Sequence, residues 1–435
     1  MMTNKNLLER SLSSVWHPCT QMKQHELYPL IPIQHGDGVW LYDADGKKYL
    51  DAVSSWWVNL FGHNNPRIKD AIKQQLDTLE HVMLAGFTHE PVVALSEKLA
   101  KLTGLGHAFY GSDGASATEI ALKMSFHYWR NIGKTGKTRF ISLQNSYHGE
   151  TMGSLGVTDV AIFKDTYAPL LVQSAQVPSP DFRLAQAGES AEDFALRCAA
   201  QLETYLAEHH AELAAFIIEP LVQCAAGMGM YHPIYLSKVR EICTQYKVHL
   251  IADEIAVGFG RTGTMFACEQ GNIKPDFICL SKGITGGYLP LSAVLTSDEI
   301  YQAFYHDSTV RGFLHSHSYT GNPLACSAAL ATLAIFETDY VVEKNKAKSA
   351  CIVEKMQVLT DLPIQHLRHQ GMIFAFDVVT QNIQFSRQSY QTGVEQGLLL
   401  RPIGNTVYFM PPYTITEPEI DFMISTTQLV VQAAL

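Results

Sequence analysis

The stretch LIADEIAVGFGRTG occupies residues 250–263, and DFICLSKG follows at residues 276–283. Each contains an apolar run of the length of a buried strand, and a charged group follows each run: Asp253 the first and Lys282 the second. Burying a lone carboxylate or ammonium group is costly, so each of these groups needs a partner or a chemical task. The two runs therefore predict buried strands with a functional site at their carboxyl ends.

Short apolar runs alternate with longer amphipathic stretches between residues 107 and 297. The runs lie at 139–143, 216–218, 249–252, 277–280 and 292–295. This alternation predicts the α/β class, with a mostly parallel central sheet flanked by helices. From about residue 330 the pattern changes to a long helical stretch and then to strand-like pieces at 372–378 and 407–410. We therefore predict a large domain at 58–330, a smaller α+β domain at 331–435, and an N-terminal segment at 1–57 that joins the smaller domain.

Pyridoxal phosphate offers a task for both charged groups. Its ring nitrogen must stay protonated to withdraw electrons, which a buried carboxylate such as Asp253 enforces, and its aldehyde needs a lysine such as Lys282 for covalent attachment. The alternative is that Asp253 and Lys282 form an ion pair at the edge of the sheet. Spacing alone does not decide between these two interpretations.

A phosphate group binds well at a helix N-terminus that is preceded by small residues, because exposed N–H groups and the helix dipole favour an anion there. Residues 111–119, GSDGASATE, have this composition and open an amphipathic stretch, which makes Gly114 and Ala115 candidates. Such a turn is also found at ordinary helix caps. We predict that Tyr147, in Tyr-His-Gly, ends a strand and either stacks on the cofactor ring or only packs.

Two further polar residues follow the run at 216–218. Glu219 and Gln223 lie in EPLVQ, at residues 219–223. They are candidates for fixing polar groups near the cofactor, although a strand end capped by polar side chains would explain them equally well.

Composition excludes several other functions. The formal net charge of −10 argues against a nucleic-acid partner, and no run approaches the roughly 20 apolar residues that a membrane span needs. The eight cysteines contain no C-x-x-C pair, which argues against a zinc site or a redox dithiol. The polar first residues do not resemble a targeting signal, so the cytoplasm is the expected location. His315-Ser316-His317 has no third ligand nearby in the sequence, and we assign no metal.

A nucleotide-dependent kinase or dehydrogenase on a doubly wound sheet was considered as an alternative class. It would need an intact P-loop or a G-x-G-x-x-G turn, and neither is found. Gly136-Lys137-Thr138 resembles the end of a P-loop, but Asn131 stands where that motif requires glycine, so we interpret this segment as a basic surface loop. A non-catalytic binding protein of the same fold is disfavoured by the presence of Lys282 together with Asp253.

The sequence resembles the class III family of pyridoxal-phosphate aminotransferases. The resemblance rests on the stretches at 250–263 and 276–283 and runs from Trp16-His17-Pro18 to residues 410–413, nearly the whole chain. It implies a fold type I transferase that acts as a cytoplasmic homodimer with shared active sites. The cofactor it implies is pyridoxal 5'-phosphate, bound by Lys282, Asp253 and Tyr147, which also serve catalysis, and by Gly114 and Ala115.

Within the family, the pieces at 54–57, 81–83, 321–326 and 401–413 resemble members that transfer an amino group from S-adenosylmethionine to 8-amino-7-oxononanoate in biotin biosynthesis, by a ping-pong mechanism. The alternative donor is lysine or another ω-amine. The resemblance implies that Trp56, Tyr147, Lys282 and Ser316 contact substrate and that Arg401 holds a substrate carboxylate. It also implies that the loop containing Ser316 reaches the phosphate in the partner subunit. In that loop, His317 and Ser318 would bind the phosphate.

The chain departs from the usual pattern of these members at a few positions. Cys19 stands where they have a tyrosine that touches substrate, and a thiol offers neither that ring nor a phenolic hydrogen bond. Ala115 replaces a serine beside the phosphate, which leaves only a backbone N–H there. The loop at 315–318 differs from the usual Gly-Pro-Thr, with Ser318 in place of the threonine.

Overall fold

A computed structural model describes residues 3–435 of the chain. The chain divides into two compact units. The terminal unit contains the described part of Met1–Pro66 together with Ala350–Leu367 and Ala375–Leu435, and the central unit contains Arg67–Ser349 and Arg368–Phe374. The domain boundaries that we predicted at 57/58 and 330/331 stay a prediction.

The strands of the described chain are short, from two to seven residues. They are β1 (Ile33–Asp37), β2 (Trp40–Asp43), β3 (Lys48–Asp51), β4 (His107–Gly111), β5 (Arg139–Leu143), β6 (Ala175–Val177), β7 (Leu213–Ile218), β8 (Val222–Gln223), β9 (Gly229–Met230), β10 (His249–Asp253), β11 (Phe277–Leu280), β12 (Ser292–Thr296), β13 (Ile364–Gln370), β14 (Ile373–Val378), β15 (Leu398–Leu399) and β16 (Thr406–Phe409).

The helices vary from one turn to five. They are α1 (Asn4–Ser14), α2 (Ser54–Trp57), α3 (Pro66–Leu76), α4 (Glu90–Thr103), α5 (Gly114–Asn131), α6 (Met152–Val157), α7 (Ala161–Lys164), α8 (Ala191–His209), α9 (Ile234–Gln245), α10 (Asp298–Gln302), α11 (Pro323–Asp339), α12 (Val341–Lys355), α13 (Phe385–Gln396) and α14 (Glu417–Ala434). Among residues 3–435, no single helix has both the length and the apolar composition of a membrane span, and one bent pair, Pro323–Asp339 with Val341–Asp361, meets these criteria jointly.

The central unit is built on a seven-stranded sheet in the order β4-β12-β11-β10-β7-β5-β6. Strand β12 runs antiparallel to both of its neighbours, and the remaining pairs are parallel. Every residue of β7, β10, β11 and β12 is buried, as expected for a sheet covered on both faces. The predicted α/β class with a mostly parallel sheet is confirmed.

Helix α5 shows why the sequence folds in this way. Its apolar residues recur at helical spacing and join the apolar side chains of the sheet in one core; the buried members from α5 are Ala117, Ile120, Ala121, Leu122, Met124, Tyr128 and Trp129. Burial of a fully covered Ile, Leu or Met side chain stabilises the fold by about 1.5–3 kcal/mol. The N-terminus of α5 is thereby fixed beside the end of β4.

The terminal unit contains a four-stranded sheet in the order β1-β2-β3-β15. Its first three strands are antiparallel neighbours along the chain, and β15 adds to β3 in the parallel sense. A second sheet has the order β13-β14-β16. The first sheet thus pairs strands from the N-terminal segment of the chain with a strand from its C-terminal segment.

Two expectations about local structure were wrong. Tyr147-His148-Gly149 does not end a strand, because β5 ends at Leu143 and the chain then turns. Lys137 is not on a basic surface loop: it is 7% exposed, and its Nζ donates to the carbonyl oxygens of His210 and Leu213 at 2.7 and 2.8 Å. Its ammonium group also lies 4.6 Å from the ring centroid of Trp129, so burial is offset by two acceptors and a cation–π contact.

Candidate active site

Three ionisable side chains follow three neighbouring strands of the central sheet. Glu219 comes directly after β7, Asp253 is the last residue of β10, and Lys282 lies two residues after β11. Strand β10 pairs in parallel with both β7 and β11, so the three carboxyl ends meet at one edge of the sheet. Two of the sequence candidates, Asp253 and Lys282, and the possible polar neighbour Glu219 are thus brought together.

Asp253 is 4% exposed and is fixed through both carboxylate oxygens. Its Oδ1 accepts from the backbone N–H of Ile255 at 3.1 Å, and its Oδ2 lies 2.7 Å from Nδ1 of His148. An ionised carboxylate only accepts, so Nδ1 carries the proton and donates. The carboxylate is therefore held in one orientation inside the protein, where it can keep a facing ring nitrogen protonated.

His148 is the site residue that sequence reasoning missed. It is 2% exposed; its backbone N–H donates to Oγ1 of Thr158 at 3.0 Å, and its carbonyl accepts from Oγ1 of Thr118 at 2.9 Å. Nε2 has no hydrogen-bond partner among the described residues, although the great majority of buried side-chain nitrogens have one. The only sequence signal for His148 was its place beside Tyr147.

Lys282 adopts a backbone conformation that a side chain with a Cβ disfavours. Its φ is +46°, in the left-handed region, where a non-glycine residue stores about 1–3 kcal/mol and where strain concentrates at functional sites. Burial lowers the pKa of its ammonium group, and the thiol of Cys224 and the carboxylates of Asp253 and Glu219 oppose that shift. A larger share of the amine is consequently neutral, as a nucleophile or a base requires.

Glu219 is 5% exposed and accepts two backbone hydrogen bonds, from the N–H of Tyr147 at 3.0 Å and from the N–H of Cys224 at 3.2 Å. Burial raises the pKa of its carboxyl group well above the usual range, and the charge of Asp253 raises it further. The bond to Tyr147 fixes the start of the loop that carries His148. Glu219 thus links the strand edge to this loop.

Tyr147 is half-buried, and its hydroxyl donates to Oε1 of Glu150 at 2.8 Å. Its ring centroid lies 5.4 Å from that of Phe163 in a tilted arrangement. Gln223, by contrast, points to other partners: its Nε2 donates to the carbonyl of Gln144 at 2.9 Å, and its Oε1 accepts from Ser179. The side chain of Gln223 therefore ties together neighbouring loops.

The predicted phosphate turn is the N-terminus of α5. Asp113 caps the helix: its carboxylate accepts from the backbone N–H of Ser116 at 2.9 Å. The N–H groups of Gly114 and Ala115, the first two residues of the helix, point out of its N-terminal end. A Cβ at Gly114 would lie 3.0 Å from the side chain of Ile255, and a Cβ at Gly149 would lie 2.6 Å from that of Ala115. Glycine is thus required at both positions for these segments to approach one another.

The loop 315–318 lies in the central unit as well. The ring of His317 approaches Oγ of Ser112, just before α5, with Nδ1 at 3.5 Å and Nε2 at 3.4 Å. Its carbonyl accepts from Oγ1 of Thr320 at 2.8 Å. Ser316 and Ser318 are exposed. The structure thus brings His317 to the phosphate turn of the same chain.

Trp56 and Arg401 belong to the terminal unit, where they contact one another. The guanidinium carbon of Arg401 lies 4.7 Å from the ring centroid of Trp56, in a cation–π arrangement. Trp56 is 43% exposed and Arg401 is exposed, whereas the adjacent Trp57 is 5% exposed. Cys19, which replaces an expected tyrosine, is exposed and is not part of a disulfide.

The family model described as aminotransferase class III matches residues 21–431. The chain belongs to the class III aminotransferase family, and the predicted family and enzyme class are confirmed.

Particular members of the family are similar over nearly the whole chain. The adenosylmethionine-8-amino-7-oxononanoate aminotransferase of Helicobacter pylori is 48% identical over 427 residues, which cover 96% of this chain and 95% of that protein. The crystal structure of the enzyme with the same name from Methanocaldococcus jannaschii is 37% identical, with a TM-score of 0.92 and coverage of 98% and 99%. A PLP-bound amine transaminase from an uncultivated Pseudomonas species is 32% identical, with a TM-score of 0.91 and coverage of 97% and 98%.

Proposed function

We propose that this protein transfers an amino group from S-adenosylmethionine to 8-amino-7-oxononanoate, giving 7,8-diaminononanoate, a step of biotin biosynthesis. The observation that carries the proposal is the buried hydrogen-bonded pair of Asp253 and His148, which lies at the same edge of the sheet as Lys282. Burial lowers the pKa of the Lys282 ammonium group. The choice of substrates is supported by the relatives of that name, up to 48% identical over nearly the whole chain.

The residues at the sheet edge fit pyridoxal 5'-phosphate, which the solved amine transaminase binds. We propose that Asp253 holds the proton of the ring nitrogen, that Lys282 attaches covalently to the carbonyl carbon, and that the N–H groups of Gly114 and Ala115 bind the phosphate. The orphaned Nε2 of buried His148 and the small residues at the start of α5 match this polar ligand. When bound, this cofactor carries the amino group between donor and acceptor and withdraws electrons from the carbon that loses a proton.

Lys282 performs the proton transfers in this proposal. In the first half of the ping-pong cycle, Lys282 would give up its link to the cofactor to the donor amine, and its released Nζ, whose neutral form is favoured because burial lowers the pKa, would remove the proton from the donor α-carbon. The same Nζ would pass this proton to the cofactor, and water would release the donor as its 2-oxo acid. In the second half, Nζ returns a proton to the carbon that becomes C7 of the product. The hydrogen bond between His148 and Asp253 holds the Asp253 carboxylate in place during both halves.

Substrate recognition is proposed for the pair Trp56 and Arg401, together with Tyr147 and Ser316. A guanidinium fork matches a carboxylate, and both S-adenosylmethionine and 8-amino-7-oxononanoate carry one. The same arginine can therefore serve each substrate in turn. The exposed face of Trp56 suits either the aliphatic chain of the acceptor or the sulfonium cation of the donor.

A homodimer with shared active sites is part of the same proposal, with Ser318 contacting the phosphate in the partner subunit, whereas the ring of His317 lies against Ser112 at the phosphate turn of its own chain. Exposure of Ser316 and Ser318 supports a role toward a second chain. Mixing inactive Lys282→Ala protein with Ser318→Tyr protein, after reversible dissociation, tests this: shared sites predict recovered activity in mixed dimers. Light scattering that finds only monomers would contradict the proposal. A cytoplasmic location is proposed as well, in keeping with eight cysteines that form no disulfide.

The donor and acceptor are tested by following the visible spectrum of the cofactor-loaded protein. We expect S-adenosylmethionine alone to convert the cofactor to its amino form and 8-amino-7-oxononanoate to reverse the change, with 7,8-diaminononanoate detected by mass spectrometry. Lysine and a simple ω-amine serve as matched donors. If lysine converts the cofactor and S-adenosylmethionine does not, the protein is a class III aminotransferase with a different donor.

A further inference from the structure

We propose that Asp51 is a positioning residue for the reaction: its buried carboxylate holds the one-turn segment α2 in a left-handed conformation and thereby sets the indole of Trp56 against Arg401. The inference rests on the proposed function, in which Trp56 and Arg401 contact substrate. It concerns the terminal unit alone.

The backbone of α2 is unusual. Its four residues, Ser54, Ser55, Trp56 and Trp57, have φ values of 50°, 47°, 71° and 74°. Each of these side chains has a Cβ, which in the left-handed region crowds the following carbonyl oxygen, and consecutive residues there are rare except for glycine. Local preference therefore opposes this turn, and contacts from outside it must maintain it.

Asp51, the last residue of β3, supplies the charged contact. Its Oδ1 accepts from the backbone N–H of Ser55 at 2.9 Å and its Oδ2 from the hydroxyl of Ser55 at 2.7 Å. Nε2 of His63 lies 3.1 Å from the same Oδ2. The carboxylate is 1% exposed, so these hydrogen bonds are made to a buried charge, the case in which removing a partner has its largest effect.

Two neutral contacts hold the ends of the same turn. The hydroxyl of Ser54 donates to the carbonyl of Met410 at 2.6 Å, and Nε1 of Trp57 donates to the hydroxyl of Tyr408 at 3.2 Å. Ser54 and Trp57, which make these two contacts, are the first and last residues of the turn. Asp51 is the contact made directly to the middle, at Ser55, next to Trp56.

The backbone of Trp56 helps to set the position of its ring, because the rest of the chain covers that residue only in part. It is 43% exposed, and the contact of its ring with Arg401, at 4.7 Å, is made from one face. Within residues 3–435 no carboxylate forms a salt bridge with Arg401, which leaves its guanidinium group able to pair with a substrate carboxylate. A change at Asp51 should therefore be transmitted through Ser55 to Trp56 and from there to substrate affinity.

The test compares Asp51→Ala with a matched control, Asp43→Ala. Asp43 is a buried aspartate of the same sheet, 3% exposed, that accepts from the hydroxyl of Tyr49 at 2.8 Å and from the N–H of Lys47 at 2.9 Å, without contact to α2. The first readout is the fluorescence of Trp56 in the holoenzyme, obtained as the difference between each protein and its Trp56→Phe derivative. The second is the split between kcat and KM for S-adenosylmethionine.

We expect Asp51→Ala to shift the Trp56 emission and to raise KM roughly tenfold, the change that the loss of about one charge-assisted hydrogen bond produces, with kcat changed by less than about twofold. Asp43→Ala should change neither quantity. Adding Ser55→Gly to Asp51→Ala should restore much of both, because glycine adopts a left-handed φ without the Cβ penalty. If Asp51→Ala does not fold, Asp51→Asn, with one carbonyl oxygen in place of two, should give a smaller effect in the same direction.

Unchanged Trp56 emission and unchanged KM in the folded Asp51 variants would overturn the inference. So would a fall in kcat and stability alone that the Ser55→Gly change does not repair, since that is the result of a merely structural role. Failure of the proposed function gives a different result: Trp56→Phe and Arg401→Ala would then leave KM unchanged, while the fluorescence comparison would still decide whether Asp51 positions Trp56.

Discussion

Nδ1 of His148 lies 2.7 Å from Oδ2 of Asp253, and both side chains are buried. The two residues are 105 positions apart in the chain, yet this is the shortest polar contact of Asp253. The imidazole neutralises part of the field of the carboxylate and fixes its orientation, so the electrostatic role proposed for Asp253 depends on His148.

His148→Ala should lower kcat/KM by roughly 10- to 100-fold, because the loss of a hydrogen bond to a buried charged group is worth about 1.5–3 kcal/mol. Steady-state kinetics with saturating cofactor measures the effect. The matched control is His249→Ala, which removes another buried histidine, one that contacts Ser125 at 2.8 Å. A turnover within twofold of wild type for His148→Ala would contradict the role assigned to the pair.

Asp253→Asn should impair catalysis far more than cofactor binding. The amide has nearly the same shape but no charge, so it cannot hold a proton on a facing ring nitrogen, and we expect kcat to fall by about 100-fold or more, the range of a displaced general acid or base. The cofactor dissociation constant, measured by equilibrium dialysis, should change by less than about tenfold. Equal losses in both quantities would instead indicate a purely structural carboxylate.

Lys282→Ala should bind the cofactor without covalent attachment and lose amino transfer, and an active variant would refute the assignment. Small primary amines added to the variant should restore part of the rate, because they replace the missing base. In the wild-type protein the single-turnover rate should rise with pH and level off below the ordinary lysine value of 10.5, because burial lowers the pKa of Lys282 and the neutral amine is the reactive form. A rate that rises only near pH 10.5 would contradict this.

Lys137 should make stability depend on pH in the alkaline range. Burial lowers its pKa from 10.5 to about 8 in the folded protein, so between these values the unfolded chain binds more protons than the folded one. The free energy of unfolding of the wild type, relative to Lys137→Met, should therefore rise as the pH increases from about 8 to 10.5, and it should not depend on pH below about 8, where Lys137 is protonated in both the folded and the unfolded chain. Denaturant titrations of both proteins measure this; Lys134→Met, at an exposed lysine, is the control and should show no such slope.

Much of the fold followed from local patterns in the sequence. The strand predicted at 139–143 coincides with β5, and that at 277–280 with β11, because a buried parallel strand is a continuous apolar run whose limits are marked by polar residues. The error at Tyr147 has the opposite cause. Aromatic residues are common both in strands and in the loops that follow them, so composition did not show that β5 stops at Leu143.

The contacts of Lys137 and His148 could not be predicted from the sequence. Lys137, which lies between Gly136 and Thr138, resembles a surface residue in the sequence, but two carbonyl groups from residues more than 70 positions away accept from it. His148 likewise carried no signal beyond its neighbour Tyr147. Side-chain partners far apart in the chain are a property of packing, and periodicity does not encode them.

The sequence by itself determined the family, the mostly parallel sheet and the positions of Asp253 and Lys282 at strand ends, because these depend on runs of apolar residues and on motifs that are local in the chain. Only the tertiary structure decided that His148 faces Asp253 and that α2 is left-handed, with Asp51 bound to Ser55. The physical reason is that burial and long-range hydrogen bonds override local conformational preference, so both the electrostatics of the site and the strained turn exist only once the chain has folded.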